Sequence, residues 1–427
     1  MSSHADKSKR NIWMPGCRKM VEFLPESFPE DVECPMMAAV DVGSVSVGVY
    51  LLDGLTGERL AARSMLNPQV QYGMDVIQRC GYALENGPEI LSGCIRSAVN
   101  VLLREASREC GRSQEDIVQI VMVGNSYMQH LFLEISPRPL VSAPHKWTKK
   151  DALRFRASEY GLMVYPWAQL CWLPGIGGFV GADTVGCLLA SGMDQREDMT
   201  LLVDIGVNVE IVLGNRKCGL TACFTAVGAA FEGVKIVCGM RGGPGAIDQV
   251  YLEEGEMKFH VMGGGDPIGI CGSGLLDAVA CLLKLEEIDQ SGRLKETYYF
   301  TRRVFLTQQD IREVQLVKGA VAAGIRLLCM EKNIRPEEIR ELLLAGTFGY
   351  YLNPDSASIV GMFPRELQSR ITAIGNAAGE GVQIAAANRG EYDRCSQIAK
   401  DTQFFDLTQD PQFGDIYISE LGFPAAP

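Results

Sequence analysis

The sequence predicts an α/β protein of two lobes, each a mixed sheet flanked by helices, on the strength of three observations. One hairpin pattern occurs twice, at 38–54 and again at 201–215: an apolar strand, Asp-x-Gly, a second strand and a glycine-bearing turn. Short apolar runs such as 118–124 end in glycine and pass into stretches with helical spacing. The 427 residues, 47% hydrophobic and 22% charged, suffice for two cores of ordinary composition. A charged break at 194–200 marks the boundary, giving an arm at 1–35, a first lobe at 36–198 and a second at 199–427.

Composition excludes whole classes of function. Forty basic against 52 acidic residues leave a net charge of −12, the wrong sign for a general nucleic-acid binder. No apolar run reaches the roughly 18–20 residues that cross a bilayer, and residues 1–20 lack the apolar core of a signal peptide. The expectation is a cytoplasmic protein with no membrane or nucleic-acid partner. The 14 cysteines include no CxxC, so reduced thiols are expected, and neither a zinc ribbon nor an iron–sulfur cluster.

Each element then has an expected role. Asp41, Gly43, Ser44 and Ser46 of the first hairpin, and Asp204, Gly206 and Asn208 of the second, are the residue types that hold a phosphate. Glycine admits the backbone, N–H groups and hydroxyls donate to oxygens, and the aspartates Asp41 and Asp204 would hold Mg²⁺ through water. Two copies 163 positions apart suggest a duplicated domain clasping a nucleotide. Gly272, Ser273 and Gly274 open a helix whose first N–H groups favour anions. Gly346, Thr347 and Phe348 form a strand-to-turn junction suited to lie against a purine, and 382–387 is a small-residue helix suited to close packing. Asp183 serves as a helix N-cap or as a carboxylate that orients water or the ion. Glu210 is a general base or a solvated hairpin position. His130 reads as a core histidine, while His145 and His260 have no metal-ligating spacing.

The order of hairpin, connecting helix, hairpin and adenosine turn resembles the actin, sugar-kinase and Hsp70 superfamily. Within it, segments 67–77 (NPQVQYGMDVI), 123–131 (VGNSYMQHL), 173–185 (LPGIGGFVGADTV), 204–214, 231–233, 269–277 and 344–352 are similar to those of the ATP-dependent reductive activators of corrinoid proteins. Those activators return inactive Co(II) to Co(I) in methyl-transfer systems. The resemblance implies actin-like lobes with a nucleotide cleft between them, ATP and Mg²⁺ as cofactors, and an ATPase activity. It also implies a corrinoid protein as partner, with a homodimer as an open assembly. Two other readings stay open: a small-molecule kinase of the same superfamily, and a non-catalytic actin-like interaction protein.

The departures are specific. Family members typically carry a ferredoxin-like domain at one end. The cysteine spacing argues against one here, so a separate iron–sulfur donor would supply electrons. Val207 and Val209 stand where the family favours Thr and Gly. A missing hydroxyl and a stiff branched side chain would weaken phosphate binding, and Val209→Gly would relieve crowding. Gln129 and Thr347 replace the usual histidine and glycine.

Overall fold

The structure, a computed structural model, describes residues 11–13, 20–24, 28–142, 147, 149–228 and 230–425. Much of the expected arm, Cys17 and His145 lie outside these residues. The chain forms two compact units, each discontinuous in sequence: 1–194 with 376–402, and 195–375 with 403–427. The charged break is the first crossing. The return of 376–402 to the first unit differs from the sequence division, which placed that segment in the second lobe.

The first unit is built on β1 (Met36–Val42), β2 (Ser46–Asp53), β3 (Arg59–Leu66), β4 (Ile117–Val123), β5 (Leu153–Arg156) and β6 (Gln169–Trp172). They form one sheet in the order β3-β2-β1-β4-β6-β5, with β1 antiparallel to β2 and parallel to β4. β4 is buried along its whole length, and β1 everywhere except Asp41. Strands buried on both faces need helical cover. α1 (Val76–Asn86) starts at Asp75, whose carboxylate accepts from the Gln78 N–H, and stops at Gly87. α2 (Glu89–Glu109) packs on β2 and β3. α3 (Ser126–Phe132) follows β4, and α4 (Ala182–Ser191) follows Gly181.

The second unit has a main sheet and a smaller side sheet. Its strands are β7 (Thr200–Ile205), β8 (Asn208–Asn215), β9 (Gly219–Ala226), β10 (Ala246–Glu253), β11 (Glu256–Val261), β12 (Gly269–Ile270), β13 (Glu341–Ala345) and β14 (Ile371–Gly375). The main sheet runs β14-β13-β7-β8-β9, parallel across β14, β13 and β7 and antiparallel across β7, β8 and β9. The side sheet is β11-β10-β12. α5 (Gly272–Lys284) packs on β10, and α6 (Gln308–Glu331), opened by a Thr307–Asp310 capping box, packs on β8 and β9. α7 (Thr347–Tyr351) follows β13.

Alternation along β7 and β8 decides which side chains face the core. Leu201, Val203 and Ile205 of β7, with Val209, Ile211 and Leu213 of β8, join Leu276, Val279, Val321 and Leu328 in one apolar cluster. Period-two geometry turns Asp204 and Glu210 to the other face. The same geometry gives Val209 a packing role beside its expected place near a phosphate. Val209 is 0% exposed within that core and Val207, in the turn, is 3% exposed.

The returning segment supplies α8 (Ala377–Ala387) and α9 (Arg389–Asp401) to the first unit. α8 packs on β1, β4 and α4. A Cβ at Gly381 would sit 2.0 Å from the Gly186 carbonyl oxygen of α4, and one at Gly186 would sit 3.1 Å from the Ala378 oxygen. This is the close packing expected of a small-residue helix. The α8–α9 corner also holds part of the arm: the Leu24 N–H donates to the Ala387 oxygen (3.0 Å), and the Arg389 N–H to the Leu24 oxygen (2.7 Å). Arg394 of α9 binds both carboxylate oxygens of Asp194 at 3.1 and 3.0 Å, fixing the last residue before the first crossing. The chain then adds β15 (Thr402–Phe404) beside β9 and ends its regular structure in α10 (Phe413–Ser419). Among the described residues no disulfide forms and no helix is long and apolar enough to cross a membrane.

Candidate functional site

In the first unit, Asp41 lies one residue from the end of β1, in register with Gly48 of β2 and Val123 of β4. Asn376 caps α8 by accepting from the Gly379 N–H at 2.9 Å. Its Nδ2 donates to Asp41 Oδ2 at 2.9 Å and reaches the Tyr50 hydroxyl at 3.3 Å. Burial first, then the Asp41 charge, pushes the Tyr50 phenol up to about 12. The Asn376 side-chain amide thus donates to Asp41 from the start of α8.

The turn after Asp41 is closed by backbone. A Cβ at Gly43 would lie 2.8 Å from the Ser46 carbonyl oxygen, so glycine is what fits. The Gly43 carbonyl accepts from Asn67 Nδ2 at 2.9 Å, and Ser44 Oγ accepts from Asn125 Nδ2 at 3.0 Å. Asn125 also caps α3. At the start of α4, the Ala182 N–H donates to the Gly124 oxygen at 3.0 Å, and a Cβ on Gly181 would meet Asn125 Cα at 2.4 Å. Three turns therefore converge: Gly43–Ser44, Gly124–Asn125 and Gly181–Asp183. Asp183 sits in the first turn of α4, with Oδ1 accepting from the Thr184 N–H at 2.8 Å. The Ser46 side chain is exposed at the start of β2 and joins none of these contacts.

In the second unit, Asp204 of β7 is in register with Glu210 of β8 and with Ala345 of β13. Residues directly opposite on adjacent strands share a face, and like charges so placed are destabilising unless something positive intervenes. Glu210, expected as a base or a solvated position, is buried at 7% exposure. Gly346, with φ of 89°, closes this end of the sheet: a Cβ there would meet the Ile205 oxygen at 2.6 Å and Asp204 Oδ1 at 2.8 Å. The Gly206 N–H donates to the Asn208 oxygen at 2.8 Å, tightening the second hairpin turn as Ser46 tightens the first.

The purine candidate lies beside α5. Phe348 stacks on Phe231 with ring centroids 4.5 Å apart and planes 11° apart, and a Cβ on Gly272 would come within 2.7 Å of Phe348 Cε2. Gly272, Phe231 and Phe348 thus meet. Thr347 begins α7. Ser273 and Gly274 also pack: Ser273 Oγ donates to the Asp248 oxygen at 2.8 Å, and a Cβ on Gly274 would lie 2.3 Å from the Ile247 oxygen. The backbone N–H groups of this first turn have no intrahelical acceptor.

No group of three or more His, Cys, Asp or Glu side chains among the described residues is arranged to hold a metal. The registered Asp204–Glu210 pair nevertheless suits Mg²⁺, which binds through one or two carboxylates and keeps several waters. Asp41, the other expected ligand, lies in the other unit. His130 is a core residue: its Nδ1 lies 3.1 Å from the Ser136 oxygen, and burial pushes its pKa down. His260 Nδ1 pairs with Asp248 Oδ1 at 2.7 Å. Gln129 is also internal, its Oε1 accepting from Trp147 Nε1 at 2.9 Å.

Sequence reasoning missed Asn376, Asn125, Tyr50 and Glu232. Burial pushes the Glu232 carboxyl up to about 7, against the opposing pull of a backbone hydrogen bond and Arg241, and its Oε2 has no partner among the described residues. The Asn-x-x-Gly spacing at 376–379 is a helix-start signal that would have marked Asn376 as a cap. It carries no hint of Asp41.

The chain matches known proteins along most of its length. The family described as the RACo middle region matches residues 36–196, and the one described as the C-terminal domain of RACo, the ASKHA domain, matches 198–427. The corrinoid activation enzyme RamQ of Eubacterium limosum is 34% identical over 95% of this chain and 73% of its own length. A methylated amine-specific corrinoid protein Co(II) reductase of Methanosarcina barkeri is 23% identical over 90% of this chain and 76% of its own. Among solved structures, a reductive activator for a corrinoid, iron–sulfur protein superposes with a TM-score of 0.82 at 30% identity, covering 93% of this chain and 67% of that one. The chain belongs to the RACo family, carrying its middle region and its C-terminal ASKHA domain in that order.

Proposed function

We propose that this protein is an ATP-dependent activator that helps return the cobalt of a partner corrinoid protein from Co(II) to Co(I). The observation that carries the reading is 34% identity, along 95% of the chain, to an enzyme named for corrinoid activation. Bound ATP–Mg²⁺ would supply the free energy for an uphill one-electron transfer. The chain's own residues bind and orient. Asp204, paired in register with Glu210, would receive the hydrated ion in the second unit, and Asp41, held by Asn376, offers a carboxylate in the first. Ser44 and the N–H groups of the glycine turns donate to phosphate oxygens, with Asn208 shaping the second turn. Glu210 orients the attacking water, and Asp183 holds water at the start of α4. Gly346, Thr347 and Phe348 would lie along the nucleoside, and Gly272 lets Phe231 and Phe348 pack closely there. The electron comes from a separate iron–sulfur donor, in keeping with 14 cysteines that include no CxxC.

The place of Val209 in the apolar core counts against the crowding argument for a non-catalytic protein. The test mixes the purified chain with a Co(II) corrinoid protein and a reduced iron–sulfur donor, and follows the cobalt by visible spectroscopy. Co(I) should accumulate only when ATP–Mg²⁺ is added. Equal accumulation without the chain or without ATP would overturn the reading.

A further inference from the structure

Thr200 and Glu341 open β7 and β13 in register, and Asp204 and Ala345 sit in register four residues further along, about 13 Å away at strand rise. At the Thr200 end, within the second unit, lies a cavity of about 490 Å³. Such a volume is ordinary for a small-molecule site, and this one is far from the proposed phosphate residues.

Its charges are mostly spoken for. Arg196 pairs with Glu341. Glu197 faces Arg216 at 3.5 Å. Arg370 Nη1 donates to the carbonyls of Glu337 at 2.8 Å and Ile339 at 2.5 Å. Two charged lining side chains are left without a partner among the described residues, the Arg340 guanidinium and the Asp198 carboxylate. Their backbones are nonetheless fixed: the Arg340 N–H donates to the Met199 oxygen at 2.8 Å, and the Asp198 oxygen accepts from Thr200 Oγ1 at 3.0 Å. The Thr372 hydroxyl, on the same wall, is also uncommitted.

Opposite charges that line one cavity without neutralising each other match a ligand carrying both. We propose that this cavity binds a zwitterionic small molecule of the α-amino-acid class, its carboxylate on Arg340 and its ammonium on Asp198. A simple anion or cation would satisfy one of the two and leave the other unmatched, so a molecule bearing both groups gains a second charge-assisted contact.

The probes are the proteinogenic amino acids, one at a time, with acetate, methylammonium and inorganic phosphate as single-charge controls. Calorimetric titration and thermal shift are run on the wild type, Arg340→Gln and Asp198→Asn. Both side chains are exposed, so the variants should melt with the wild type. At least one amino acid should bind, each variant should lose about tenfold or more of that affinity, and the controls should bind at least as much more weakly. Phosphate or acetate binding as tightly as any amino acid, with Asp198→Asn unchanged, would make this a plain anion site and overturn the proposal. So would the absence of amino-acid binding to wild type in the millimolar range.

Discussion

Gly381→Ala sets two effects of opposite sign against each other. In an exposed helix, replacing glycine by alanine gains about 1 kcal/mol of propensity. At Gly381 the added methyl would lie 2.0 Å from the Gly186 carbonyl oxygen, against ordinary contact at 3.4 Å or more. The obstacle is backbone, which cannot rotate away, so α8 must shift by more than an ångström from α4. Overpacking of this kind costs about 1–3 kcal/mol, and the immobile carbonyl puts it toward the upper end. The net expectation is a loss of about 1–2 kcal/mol, or a midpoint lowered by roughly 2–8 °C in a unit of this size. Gly93→Ala on the exposed face of α2, where the new methyl meets nothing within 4 Å, is the control and should raise stability by up to about 1 kcal/mol. Thermal and urea unfolding of the three proteins decides the matter. Because Asn376 starts α8 and holds Asp41, the displaced helix should also weaken ATP–Mg²⁺ binding. A Gly381→Ala protein that melts with or above the wild type, alongside a stabilised Gly93→Ala, would refute a glycine-mediated contact between α4 and α8.

The remaining expectations follow from the same contacts. Asp41→Asn and Asp204→Asn each remove one charge-assisted contact and should weaken ATP–Mg²⁺ binding about ten- to a hundredfold by calorimetry, with folding intact; unchanged isotherms for both would remove the nucleotide from these hairpins. Val209→Gly deletes three buried carbons at about 0.8 kcal/mol each and adds glycine entropy of up to about 1 kcal/mol. It should therefore cost about 3 kcal/mol in urea unfolding and bring no gain in ATP affinity; tighter ATP binding would return this valine to the phosphate. Glu232, raised from 4.5 to about 7 in the folded chain, binds more protons folded than unfolded between those values. Its contribution to stability is full below pH 4.5 and lost as pH rises through 7. Glu232→Gln should flatten that fall and raise the melting temperature at pH 8; parallel pH–stability curves for the two proteins would contradict its burial.

Local chemistry made the strands and turns legible. Asp41 and Asp204 stood out because an apolar run into Asp-x-Gly is a short-range pattern, and Gly346 because its turn demands positive φ at one residue. Their partners were hidden for the opposite reason. Asn376 reaches Asp41 across 335 positions, and Asn125 reaches Ser44 across 81, and no periodicity links residues so far apart. The core position of Val209 was hidden because substitution within a family pattern says nothing about the face of the strand. Its alternation with Glu210, which was visible, does. Ser273 and Gly274 show the limit of a glycine-rich helix start: the same residues that suit an anion also allow α5 to lie flat on β10. The close α4–α8 contact was half legible, since small residues announce proximity without naming the neighbour.

The return of residues 376–402 to the first unit has a consequence for how the protein is made and how it can be cut. A ribosome releases the first sheet long before it releases α8, so β1 and β4 wait without part of their cover while the second unit is being synthesised. Vectorial, unit-by-unit folding is therefore unavailable to the first unit. Its native state can close only after residue 402 has emerged. The same geometry condemns a truncation placed at the charged break. Residues 1–198 alone would expose the surface that α8 protects, and the complementary fragment would carry the apolar face of α8 with nothing to cover it. Both pieces should be poorly soluble when expressed apart and recover when produced together.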